Sequence, residues 1–136
     1  MSESKGRIKL PFRTNATQTG PIIEYQGSNL LVKYDHMAFN GEIIWVSVTL
    51  AEVLAYDVCE DSCCSADVII PSDVIETLKE SDWLTQIVGR WKETVGWQQY
   101  HQDLGGEKRF KHYVIYFDDV CAVQVIASSC SVHADE

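Results

Sequence analysis

The side chains best suited to chemistry in this 136-residue chain are its five cysteines, at positions 59, 63, 64, 121 and 130, and its four histidines. Thiolate and imidazole are the usual ligands of tetrahedral zinc, and Cys59-x3-Cys63-Cys64 together with Cys130-x2-His133 could supply them. Neither spacing is the paired Cys-x2-Cys of a ribbon or finger. An odd number of cysteines behind a polar, charged N-terminal stretch favours reduced thiols over a disulfide framework. Buried or surface thiols are therefore the default. A small metal-binding or thiol-active protein using Cys59, Cys63, Cys64, Cys130 and His133 is the alternative. A nucleophilic cysteine would need a base beside it, and Cys64 or Cys121 could be paired on paper with His36, His101 or His112. The carboxylates around Cys59 to Cys64 would instead raise a thiol's pKa and blunt it.

The remaining motifs are weaker. Asp118-Asp119 could hold magnesium, but adjacent residues of a strand or turn point apart, and no third ligand accompanies them. Gly105-Gly106 lacks the strand, helix and lysine of a phosphate-binding loop. Lys108-Arg109 with Lys111 is a short basic cluster in a chain of net charge −9, which disfavours binding driven by counterion release from nucleic acid. The expectation is a chain without catalytic residues, without a cofactor and without a nucleic-acid or membrane partner.

Charge is the more informative signal. The window Glu52 to Asp82 holds nine of the twenty carboxylates and a single base, Lys79, so it carries nearly all the net charge. A helix start explains Asp73, Glu76 and Asp82, because carboxylates suit the positive end of a helix. It does not explain Asp57, Glu60, Asp61 and Asp67 around the cysteines. Those four are candidates for steering a basic protein partner, with Tyr56 or Trp97 as a desolvated aromatic anchor.

The elements that must carry these residues follow from pattern. Residues 1 to 20 read as a flexible N-terminal segment, and 21 to 133 as a single α+β domain. Ile22 to Tyr25 and Leu30 to Tyr34 form a hairpin about Gln26-Gly27-Ser28-Asn29. Asn40-Gly41 turns the chain into Glu42 to Leu50, whose alternation marks a half-buried strand. The pattern slips at Ala51-Glu52, where a bulge or bend would take the chain round a corner before Val53 to Val58. Ala66 to Ile70 is a short strand, and Pro71-Ser72 then begins the first of one or two short helices. The second is capped by Ser81-Asp82 and runs over Trp83 to Lys92. Phe110 to Phe117 and Val120 to Ala127 form a hairpin turning on Asp118-Asp119. The fold class is α+β, a mostly antiparallel sheet with the helices packed on one face. No apolar run approaches the ~18 residues that span a bilayer, and the absence of a secretory leader points to a cytoplasmic protein.

Three stretches resemble a class of small stand-alone bacterial proteins that includes immunity proteins of polymorphic toxin systems. They are Trp45-Val-Ser-Val-Thr-Leu50 running into Val53-Leu-Ala-Tyr56, Ser81-Asp-Trp-Leu84, and Lys111 to Asp119 followed by Val125-Ile-Ala127. The resemblance implies a compact protein without enzymatic activity that binds and blocks one cognate toxin. It also implies an acidic docking surface where that toxin is a nuclease, since matched charge speeds association.

Overall fold

The computed structural model describes residues 5–11, 21–38, 40–60, 74–93, 110–117 and 121–135. Nine strands and one helix are present among them: β1 (Lys5–Lys9), β2 (Ile22–Gln26), β3 (Asn29–Met37), β4 (Ile43–Ala51), β5 (Ala55–Glu60), β6 (Val74–Leu78), α1 (Asp82–Lys92), β7 (Lys111–Phe117), β8 (Cys121–Ala127) and β9 (Ser129–Asp135). The strands form a five-stranded sheet in the order β1-β6-β7-β8-β5 and a four-stranded sheet in the order β2-β3-β4-β9. Every pairing is antiparallel.

One face of each sheet makes the core. Leu30, Val32 and Tyr34 of β3 and Val46, Val48 and Leu50 of β4 meet Ile75, Tyr113, Ile115, Phe117, Val123 and Val125 of the larger sheet. The alternation read from the sequence is what puts them there, because successive strand residues point to opposite faces. Tyr34 and Phe117 touch edge to face, with ring centroids 5.6 Å apart. Burial pushes the Tyr34 phenol well above its ordinary pKa.

The turns follow their residues. The β2–β3 hairpin closes with Gln26 opposite Asn29. Gly27 takes φ 63° at the first of the two turn positions, the type II′ arrangement that suits strand twist. At Asn40-Gly41, Gly41 has φ 86°, and Asn40 Oδ1 accepts from Glu42 N–H at 3.0 Å. The corner expected at Ala51-Glu52 is present and joins the two sheets, β4 lying in one and β5 in the other. Glu52 sits at φ 53°, a conformation unfavourable for a side chain with a Cβ. It is held by Val53 N–H donating to Ser28 O at 2.8 Å. The later crossing from β8 to β9 is fastened to this corner. Ser128 N–H donates to Ala51 O at 3.0 Å, and Ser128 Oγ lies 3.2 Å from Ala51 O and 3.0 Å from Glu52 Oε1.

Three expectations are corrected. Lys5–Lys9 does not belong to a flexible segment. It is strand β1, paired with β6, and Leu10 behind it is buried in the core. Val74–Leu78 is strand β6 and not a helix begun at Pro71-Ser72. Apolar residues at 74, 75 and 78 suit either structure, and pairing with β1 on one side and β7 on the other decides for the strand. The β7–β8 register sets Phe117 against Cys121, which leaves three residues between the paired positions instead of two. Asp118-Asp119, the Ala66–Ile70 strand and Lys108-Arg109 lie outside the described residues. The architecture is therefore sheet-dominated, and α1 is the one helix among the described residues.

Helix α1 forms where its cap was expected. Ser81 Oγ accepts from Leu84 N–H at 3.0 Å, Asp82 stands in the first turn, and Arg90 and Lys92 in the last, all favourable to the helix dipole. Leu84 and Val88 are buried against Phe110 and Ile126 on the outer face of the larger sheet. Each such side chain contributes about 1.5–3 kcal/mol of transfer free energy. No described helix is long and apolar enough to cross a membrane.

Candidate functional site

The acidic window supplies strand β5, and among the described residues β5 is an edge, paired with β8 alone. Opposite positions share a face, so Tyr56 across from Val125 and Val58 across from Val123 point towards the space between the sheets. They are nevertheless 44% and 46% exposed. The strand of the other sheet on this side is β2, itself an edge, which presents Tyr25, 51% exposed. The Tyr25 and Tyr56 rings meet across the opening with centroids 6.0 Å apart and planes tilted by 41°. Tyr25 Oη donates to Val53 O at 3.4 Å, anchoring the pair to the corner. Asp57 faces the other way beside Gln124 and is exposed. At the start of β5, Trp91 of α1 donates through Nε1 to Leu54 O at 3.2 Å and is 40% exposed. Three partly exposed aromatic residues thus surround a strand that carries a carboxylate and whose second hydrogen-bonding side is unpaired among the described residues. Such a surface can add a partner's strand and bury aromatic anchors at once.

Of the residues singled out from the sequence, Tyr56 and Asp57 are brought together here. Cys59 and Glu60 close β5. Asp61, Cys63, Cys64, Asp67 and Trp97 lie outside the described residues. Tyr25 and Trp91 were not singled out as part of the docking site. Of the metal alternative, Cys130 and His133 are described, and they do not converge. Cys130 and His133 are three apart on strand β9, so they take opposite faces. Cys130 pairs across to Leu50 and points into the core, while His133 pairs across to Ser47 and is exposed. Burial pushes the Cys130 thiol up to about 12, which makes it a poor nucleophile and a poor ligand. The Tyr113 phenol is likewise raised to about 12, by burial and then by the neighbouring Cys130 sulfur. Among the described residues, no three His, Cys, Asp or Glu side chains gather in a metal-binding group.

A second polar constellation lies beneath α1. His112 Nδ1 is 2.8 Å from Ser81 Oγ, and His112 Nε2 is 2.8 Å from Gln124 Oε1. Gln124 Oε1 can only accept, so the neutral ring carries its proton on Nε2, and Nδ1 accepts from the Ser81 hydroxyl, whose oxygen still accepts from Leu84 N–H. Burial lowers the His112 pKa, opposed by the Gln124 bond. The order serine, histidine, carbonyl resembles a nucleophile relay. Here the serine oxygen caps a helix, and the buried ring stands edge-on to Trp83 at 5.1 Å. The relay ties the start of α1 to β7 and β8.

No protein-family model and no curated protein matches the chain. Among solved structures, the chain resembles an uncharacterized protein from Neisseria gonorrhoeae at a TM-score of 0.44 and 12% identity, over 95% of this chain and 96% of that one.

Proposed function

We propose that this chain is a non-enzymatic, protein-binding inhibitor of the immunity type that docks a basic partner along the β5 edge. The observation that carries this reading is the half-exposed Tyr25–Tyr56 pair beside an edge strand. Aromatic residues at the centre of an interface are the side chains whose truncation costs most, often 2 kcal/mol or more. The acidic neighbourhood supplies the charge. Asp57 is exposed on the strand itself, and the chain as a whole carries −9, which favours encounter with a cationic surface. A nuclease toxin, shaped to hold phosphate, is a partner of that kind, and the cytoplasm is where such a toxin would be met.

The test is capture from a lysate of the native host at low and moderate salt. Wild type is compared with Tyr25→Ala/Tyr56→Ala and with Asp57→Lys. A basic protein held one-to-one by wild type should be lost by the aromatic double variant. With Asp57→Lys it should associate more slowly and with a weaker salt dependence. Equal capture by all three proteins would remove the β5 edge from the interface.

A further inference from the structure

Among the described residues the two sheets end in four edges, β1 and β5 in the larger and β2 and β9 in the smaller. An unpaired edge is a template for another strand, and charge along it is a common safeguard. Three of the four carry that safeguard. Strand β1 has Lys5, Arg7 and Lys9 within five residues, β5 has Asp57 and Glu60, and β2 is five residues long with Glu24 at its centre. Strand β9 differs. It is the longest of the four, seven residues or about 24 Å. Its first six positions hold no lysine, arginine, carboxylate or proline, and Asp135 comes only at the end.

Charge selects the occupant. A chain of net charge −9 repels its own copies, so two of them meet best where neither brings like charges together. Two β1 strands set side by side about a two-fold axis would put bases against bases, and two β5 strands would gather four carboxylates on one short ladder. Pairing β1 with β5 would match charge, but that contact is heterologous and leaves both ends of the assembly open. Two β9 strands avoid all three faults. Antiparallel pairing centred on Val132 sets Ser131 across from His133 of the second copy, Cys130 across from Ala134, and Ser129 across from Asp135. Positions of the outer face then meet outer positions, and the inner positions 130, 132 and 134 meet one another. Ser47 and Thr49, the β4 positions beside the outer row, are uncharged as well. We propose that this chain forms a two-fold dimer through its β9 edges, which joins two four-stranded sheets into one of eight strands. Strand β9 lies at the opposite edge of its sheet from β2, whose Tyr25 meets β5, so the dimer leaves the docking edge open and does not depend on it.

Sedimentation velocity of the full chain in reducing buffer, from about 1 to 500 µM, is the test. Wild type is expected to pass reversibly from the mass of one chain to that of two and to stop there. Ser131 and His133 are exposed, and Ser131→Lys/His133→Lys sets lysine across from lysine at both outer pairs. The dimer should weaken at least tenfold, even though the change takes the net charge from −9 to −7 and lessens repulsion elsewhere. Ser131→Glu/His133→Lys keeps the net charge at −9 and sets glutamate across from lysine twice, so it should dimerise at least as tightly as wild type. Hydrogen exchange of wild type is a second measurement that needs no variant. The amides of β9 should exchange more slowly at the highest concentration than at the lowest, and those of β5 should not. A monomer throughout, an assembly that grows past two copies, or β9 exchange independent of concentration would overturn the proposal. So would a dimer kept by the folded lysine variant, or one lost in Tyr25→Ala/Tyr56→Ala, which would place the contact at β5.

Discussion

The two long sides of the sandwich are finished differently. On one side, Tyr25, Tyr56 and Val58 stand between the sheets and remain about half exposed. On the other, β9 ends the smaller sheet with Cys130, Val132 and Ala134, which pack against the core near Tyr113. Both sides obey the same strand alternation, so the difference lies in side-chain size and not in pattern. Small residues let an edge close, whereas the large rings at the β2 and β5 edges have no further strand over them among the described residues. Edge strands are commonly blunted to prevent unwanted pairing. An edge that keeps two tyrosines and a valine exposed is consistent with the docking role proposed for it.

Four substitutions or conditions test that contrast. The largest effect belongs to the closed side. Tyr113→Ala should cost about 3–5 kcal/mol in urea unfolding, as expected for a buried aromatic residue. A loss below about 1.5 kcal/mol would mean that this side is not packed as described.

Alkaline pH comes next. A thiol whose folded pKa is raised from its ordinary 9.0 to about 12 keeps its proton when the unfolded chain loses it. Its contribution is complete below pH 9 and is lost as pH rises from there towards 12, by at most about 1.4 kcal/mol per pH unit. Between pH 9 and 10, Cys130→Ala should remove this slope, before Tyr113 begins to add its own. In the native protein at pH 8, alkylation of Cys130 should be roughly a thousandfold slower than in the unfolded chain, followed by peptide mapping. Fast labelling would show the closed side to be open.

The aromatic pair should matter little for stability and much for binding. Tyr25→Ala/Tyr56→Ala is expected to cost about 1 kcal/mol in thermal unfolding, the scale of one partly exposed aromatic contact. A loss near that of Tyr113→Ala would place these rings in the core instead. The smallest effect is expected from Val58→Lys, within about 0.5 kcal/mol of wild type in unfolding. The same change should block strand addition at β5, so a partner still bound by this variant would not be using the edge.

How much of this could be read from the sequence depended on how local the cause was. The β2–β3 hairpin, the Asn40-Gly41 turn, strand β4 and the Ser81 cap each rest on neighbouring residues, and each was legible. The slip at Ala51-Glu52 was also legible as a corner, because alternation stops there. Strand β1 was not, since Lys-Gly-Arg-Ile-Lys has little strand character without its partner β6. Strand β6 was misread because its apolar spacing fits two periods, and only the flanking strands choose between them. The candidate site divided in the same way. Tyr56 and Asp57 sit in a run of visible charge, whereas Tyr25 joins them only because two edges of different sheets face each other. The pair Cys130 and His133 shows the converse error. Three residues apart suits ligands in a loop or helix, but in a strand it points them to opposite faces. His112 lies within the strand read over Phe110 to Phe117, and nothing local foretells that α1 covers it and links it to Ser81.

The fastening of Ser128 to Ala51 and Glu52 bears on how the molecule comes apart. Each sheet borrows one edge strand from the distant part of the chain, β1 for the larger and β9 for the smaller, and the β4–β5 and β8–β9 crossings are bonded to each other. No cut through the backbone can therefore set one sheet free with all its strands. Disassembly has no halfway station in which one layer survives, and the protein should behave as a single cooperative unit, slow to form because its defining contacts are remote in sequence.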